Sequence, residues 1–92
     1  MNYINPQLND NNIIEVYPNP VKDILNIKLK NTLAYKNCSI GIYNMEGKIF
    51  YEDVFKTNEL KIDLQPLYIK SGIYWLIIQD ENRKYYKKII VK

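Results

Sequence analysis

The apolar and polar positions of this chain alternate in short blocks and not in helical waves. From Ile24 to Leu29, Leu25, Ile27 and Leu29 fall on one side and Asn26 and Lys28 on the other. A period of two is the mark of a half-buried β-strand. Cys38, Ile40 and Ile42 make a second inward row, and Leu60, Ile62 and Leu64 a third, with Lys61 and Asp63 outward. Ile13 to Tyr17 is a short apolar run that predicts a first strand. Lys48 to Phe55 predicts another, but its apolar residues fall on both faces and leave its register open. The last block reads as a hairpin. Its first arm, Ile73 to Ile78, is apolar or aromatic at every position. Such an arm predicts a strand in the middle of a sheet with both faces covered. Its second arm mixes tyrosine and isoleucine with Arg83, Lys84, Lys87, Lys88 and Lys92. Between the arms lies a polar turn, Asp80-Glu81-Asn82, where Asn82 suits a positive φ.

The breaks between blocks carry turn chemistry. Tyr17-Pro18-Asn19-Pro20 removes two backbone donors and fixes two φ angles, which predicts a rigid, extended corner unable to join a ladder fully. Lys30 to Asn37 is polar and predicts a loop. Asn44-Met45-Glu46-Gly47 fits a type I turn, closed by Gly47 in the left-handed conformation with a bulge. Thr57-Asn58 is a break. Gln65 to Ser71 connects through Pro66, and Leu67, Tyr68 and Ile69 are expected to cap one end of the core. Gly72 then opens the hairpin. Seven short strands with turns between them, and no ten-residue helical period, predict an all-β fold: an immunoglobulin-like β-sandwich of about seven antiparallel strands. A five-stranded oligonucleotide-binding barrel is the competing architecture. Residues 1–12 are Asn-rich and read as a flexible leader or linker, cut from a longer protein, and residues 13–92 as one domain.

Composition narrows the chemistry. Ninety-two residues bury enough surface for a small core without metal or disulfide support. No apolar run approaches the ~18 residues of a membrane span, and no signal peptide precedes the fold, so if the protein is exported its signal is expected in sequence outside this chain. The single cysteine, Cys38, excludes an internal disulfide and reads as a small buried hydrophobe. There is no histidine, which removes the Ser-His and Cys-His pairs and the commonest zinc ligand. Glu52-Asp53 are strand neighbours on opposite faces, and Asp80-Glu81 lie in a turn, so neither pair makes a catalytic or metal site. No catalytic residue, cofactor or metal is expected. The net charge of +3 is unevenly placed: residues 1–21 hold no Lys or Arg, while residues 81–92 hold five basic side chains against one Glu81. That patch is too small for a nucleic-acid binder. Lysines on an edge strand are also a plain device against sheet-to-sheet aggregation.

Several pieces, taken in order, resemble one family. They are Val16-Tyr17-Pro18-Asn19-Pro20, Asp23-Ile24-Leu25-Asn26-Ile27, Ile42-Tyr43-Asn44 with Gly47-Lys48, Ile62-Asp63-Leu64, Ser71-Gly72-Ile73-Tyr74, and Lys87-Lys88-Ile89-Ile90-Val91-Lys92. The set, over roughly residues 14–92, resembles the type A C-terminal sorting domain of cargo proteins of the bacterial type IX secretion system of Bacteroidota. The resemblance implies a non-catalytic signal with an immunoglobulin-like fold, carried behind an N-terminally fused cargo domain. It implies recognition in the periplasm, passage through an outer-membrane translocon, and in many cases removal by a sortase-like peptidase at the cell surface. Gly72 and Tyr74, with Lys87, Lys88 and Lys92, are the residues it assigns to recognition by that machinery, and Tyr17, Pro18, Asn19, Pro20 and Gly47 are its structural motif. Where the family often has a proline two residues before the glycine, this chain has Lys70. No nucleic acid or small-molecule substrate is implied, and an open sheet edge leaves room for a homodimer. The rival reading is a carbohydrate-binding or adhesive sandwich module of a secreted enzyme, marked by a flat row of exposed aromatics around Trp75.

Overall fold

A computed structural model describes residues 13–30, 35–81 and 83–92. The leader 1–12 and the positive φ expected at Asn82 lie outside the described residues. The described residues form seven strands: β1 (Ile14–Tyr17), β2 (Ile24–Leu29), β3 (Ser39–Tyr43), β4 (Ile49–Val54), β5 (Glu59–Asp63), β6 (Gly72–Gln79) and β7 (Lys84–Val91). Single 3-10 turns cover Tyr35–Asn37 and Gln65–Leu67. The strands make two antiparallel sheets, β1-β2-β5 and β4-β3-β6-β7. This is the two-sheet sandwich and not the five-stranded barrel.

The core is the sum of the inward rows. Leu25, Ile27, Leu29 and Ile62 from one sheet meet Ile40, Ile42, Leu76, Ile78 and Ile89 from the other, all buried. Each row exists because period-two side chains share a face, and burial of each such side chain contributes about 1.5–3 kcal/mol. Cys38 is buried among them, and burial, with Asp80 as a smaller cause, pushes its thiol pKa up.

Two expectations change and one open point closes. The first arm of the hairpin is central, between β3 and β7, but only Tyr74, Leu76 and Ile78 are buried. Ile73 is exposed, and Trp75 and Ile77 are half-buried. With two sheets there is one interior, so the outer face of β6 has only its neighbours in the sheet for cover. Tyr68 does not cap the core. It adopts φ 55°, ends the 3-10 turn with its N–H on the Gln65 carbonyl, and is 89% exposed. Leu67 and Ile69 do pack on the core. Finally, the mixed pattern of β4 has a register cause. Ile42 faces Tyr51 but Tyr43 faces Ile49, so Phe50 is the extra residue of a bulge.

Candidate functional site: one end of the sandwich

The β3–β4 turn forms as its sequence requires. The Asn44 side-chain oxygen accepts the N–H groups of Glu46 (2.9 Å) and Lys48 (2.8 Å), and Gly47 N–H closes on the Asn44 carbonyl at 3.1 Å. Gly47 sits at φ +92°, where a side chain is strained. The turn delivers Lys48 to within 5.2 Å of the Phe50 ring centre, and Phe50 meets Tyr74 edge-on at 5.7 Å.

Tyr74 is buried, and its hydroxyl donates to the Lys70 carbonyl at 2.7 Å. That bond uses the main chain, so it does not depend on which side chain stands at 70. Gly72 opens β6 at φ +153° and pairs with Val91. A groove lined by Asn44, Glu46, Phe50, Leu67, Lys70 and Tyr74 joins the turn to the 65–71 connection.

The proline motif reaches the same end. Both the Tyr17–Pro18 and Asn19–Pro20 peptide bonds are cis. Asn26 donates from Nδ2 to the Tyr17 carbonyl at 3.2 Å. Asn19 then lies against β7: Nδ2 donates to the Lys88 carbonyl (3.1 Å) and Oδ1 accepts the Ile90 N–H (2.9 Å). Val21, fully buried, forms a parallel bridge with Val91, with Val21 N–H on the Ile90 carbonyl and Lys92 N–H on the Val21 carbonyl, both 2.8 Å. The Asp63-Leu64 motif ends here too: Leu64 N–H bonds the Asp23 carbonyl (2.9 Å), and the Gln65 amide donates to the Asp23 carboxylate (2.9 Å).

Residues scattered from Tyr17 to Lys92 therefore meet at one end of the sandwich. The three lysines assigned to recognition do not form one face, however. Lys87 shares the inward parity of buried Tyr85 and Ile89 and is half-buried, whereas Lys88 is exposed on the outer face opposite Trp75. Lys92 is also exposed, just past the end of β7. Adjacent strand residues point to opposite sides, so a Lys-Lys pair divides.

Sequence reasoning named exposed aromatics around Trp75 only as the mark of a rival reading, and missed the groove on the outer face of the larger sheet. An ideal Cβ on Gly41 would lie 2.7 Å from the Tyr43 ring, so the glycine lets that ring lie back across β3. Tyr43, Met45, Trp75, Ile77 and Tyr86 line an open groove of about 350 Å³, and Trp75 meets Tyr86 edge-on at 6.1 Å. A glycine inside a strand is the signal that could have found it. At the far edge, on β4, the Tyr51 hydroxyl donates to the Asp53 carboxylate at 2.7 Å. Burial first, then that bond, pushes the Tyr51 pKa up to about 12. The same bond, with the Val54 N–H, lowers that of Asp53. Among the described residues, no three His, Cys, Asp or Glu side chains are grouped to hold a metal.

Comparison with known proteins bears on what this end is for. The chain is 31% identical over 80 residues to an endo-acting ulvan lyase of Formosa agariphila, which covers 86% of this chain and 15% of that protein. It is 36% identical over 80 residues to ulvan lyase NLR42 of Nonlabens ulvanivorans, covering 85% and 14%. The chain thus spans about one seventh of the length of these curated relatives. Among solved structures, PorZ of Porphyromonas gingivalis, a bacterial surface component of the type IX secretion system, superposes with a TM-score of 0.74. At 22% identity, over 94% of this chain and 12% of that one, the match establishes the immunoglobulin-like sandwich. The half-exposed Trp75 leaves the rival carbohydrate-binding reading its aromatic marker, but a family match that takes in every motif of the ordered set from Val16 onward does not favour it. The profile described as the secretion system C-terminal sorting domain matches residues 15–92, and the chain belongs to that family, the sorting domains of type IX cargo that its motif order resembles.

Proposed function

We propose that residues 13–92 act as the sorting unit of an exported cargo protein, and that the secretion machinery reads the end of the sandwich where the motifs meet. The observation that carries this reading is the convergence of Gly72 and Tyr74 with Lys88 to Lys92: Gly72 pairs with Val91, and Tyr74 with Ile89. Gly72 and Tyr74 set the start of the central strand, and Lys87, Lys88 and Lys92 place positive charge along the strand beside it. A fixed charged strand is a better recognition element than a frayed one, because the partner does not bear the entropy of ordering it. Similarity to the ulvan lyases extends over about 80 residues of much longer proteins, so it supports the sorting role and a fused enzyme as cargo, and leaves the cargo's substrate to the cargo. Transit through the periplasm, passage through an outer-membrane translocon and removal by a sortase-like peptidase upstream of residue 13 complete the reading. Edge pairing of two copies along the first half of β7 is part of it as a secondary mode of association.

The test is a fusion of residues 13–92 to a periplasmic reporter in a type IX-competent bacterium. The intact fusion reaches the cell surface, and the same fusion lacking Ile89 to Lys92 remains in the periplasm. Equal surface display of the two overturns the assignment.

A further inference from the structure

The Tyr17–Pro20 corner has so far only a structural part, yet its bonds fall on the strand that the proposed function needs. β7 is the edge of its sheet, so its even-numbered residues turn their N–H and C=O groups outward, away from β6. Four of these outward groups, Lys88 C=O, Ile90 N–H, Ile90 C=O and Lys92 N–H, are taken by Asn19 and Val21. Prolines at 18 and 20 have no N–H to give. The carboxamide of Asn19 supplies what the backbone there lacks. It carries one acceptor and one donor group on a single plane, as a strand residue does. Its orientation is forced, since Ile90 N–H can only donate and Lys88 C=O can only accept.

We propose that Asn19 is a positioning residue of the sorting signal: it acts as a surrogate strand residue that holds Lys88 to Lys92 in the sheet. The signal is then composite, made of two segments some 70 residues apart in sequence, and a cut or substitution at 19–21 releases the strand without touching it. The inference rests on the reading of β7 as a recognised strand. It goes beyond that reading in making recognition depend on the entry of the chain into the fold.

The experiment compares Asn19→Ala and Asn19→Asp with Thr57→Ala, a control at the opposite end whose hydroxyl bonds Glu59 N–H and C=O. Amide hydrogen exchange is followed in the 92-residue chain, and surface display in the reporter fusion. Loss of the clamp exposes the strand end by local opening, so in Asn19→Ala the Ile90 and Lys92 amides exchange about tenfold faster or more while those of Ile42 and Leu76 keep their rates. Surface display falls below that of the intact fusion. Asn19→Asp keeps the acceptor for Ile90 N–H but sets a carboxylate against the Lys88 carbonyl, and falls between wild type and Asn19→Ala. Thr57→Ala changes neither readout. Normal display with freed Ile90 and Lys92 amides overturns the proposal, as does lost display with those amides unchanged, which would make Asn19 a direct contact. Equal acceleration of all four amides overturns it in favour of general stability. The deletion of Ile89 to Lys92 separates the two readings: if it too is displayed normally, the recognition role of β7 fails; if it is retained while Asn19→Ala is displayed, only the present inference fails.

Discussion

Tyr51 and Asp53 show how one hydrogen bond ties ionisation to stability. Both lie on β4, opposite Ile42 and Ile40, so their side chains turn toward the core at the sheet's rim. An acid pointed inward on an edge strand also discourages pairing with another sheet. The bond needs Tyr51 protonated and Asp53 ionised. Asp53's pKa is lowered in the folded state, so its contribution is present above the ordinary carboxylate range, about pH 4, and is lost as pH falls below it. Tyr51 is held protonated up to about 12. An unfolded tyrosine ionises near pH 10, so this contribution is present below about pH 10 and is lost as pH rises from there toward 12. Tyr51→Phe removes the tyrosine effect and the part of the Asp53 effect that the hydroxyl supplies, while the part from the Val54 N–H stays. Thermal midpoints of the two proteins should differ most between about pH 5 and 9 and converge at the acid and alkaline ends. A difference that stays constant across pH would mean that the hydroxyl contributes by packing alone.

Among the elements, β6 and the β3–β4 turn decide most. β6 alternates despite an unbroken apolar sequence, which gives its two faces different energetic weights. Leu76→Ala empties a fully buried site and should cost about 2–5 kcal/mol. Ile73→Ala, at a position 45% exposed, should cost well under about 1 kcal/mol. Chemical denaturation of both variants checks this; similar costs would mean that a partner covers the outer face in solution. In the turn, Gly47 has open space around it, so Gly47→Ala tests conformation and not crowding. It should destabilise by about 1 kcal/mol, while Asn44→Ala, which strands two N–H groups that water can reach, should cost about 1–2 kcal/mol. What was legible follows the same division. Strands with period two, such as β2 and β5, and the Asn44–Gly47 turn are local facts, and local chemistry determines them. The bulge at Phe50 and the exposed side of β6 depend on which strand lies beside which, and no run of residues encodes that alone. Asn19 stood out in the sequence as part of a corner, but its partner is 69–71 residues away and shows no pattern that points back to it.

For the whole molecule the question is whether two sheets of three and four strands unfold as one body. The sheets share side chains across the core, but they are also joined at the rim. The chain leaves β1 in one sheet, crosses through Tyr17–Pro20, and lays Val21 along β7 of the other. Val21 is fully buried, so this crossing contributes packing as well as hydrogen bonds. Neither sheet can shed the other without breaking it. The expected behaviour is a single cooperative transition in which near-ultraviolet dichroism, dominated by Trp75 and the tyrosines, and far-ultraviolet dichroism of the strands coincide. Val21→Ala removes two methyl groups from the junction and should cost about 1–2.5 kcal/mol. For a chain of this size that lowers the midpoint by about 4–8 °C for each kcal/mol. The transition should stay single, because the shared core remains. Should the two signals separate in Val21→Ala, with the aromatic signal lost first, then the junction and not the core couples the sheets. The release of β7 would then extend past Lys88 into the strand as a whole.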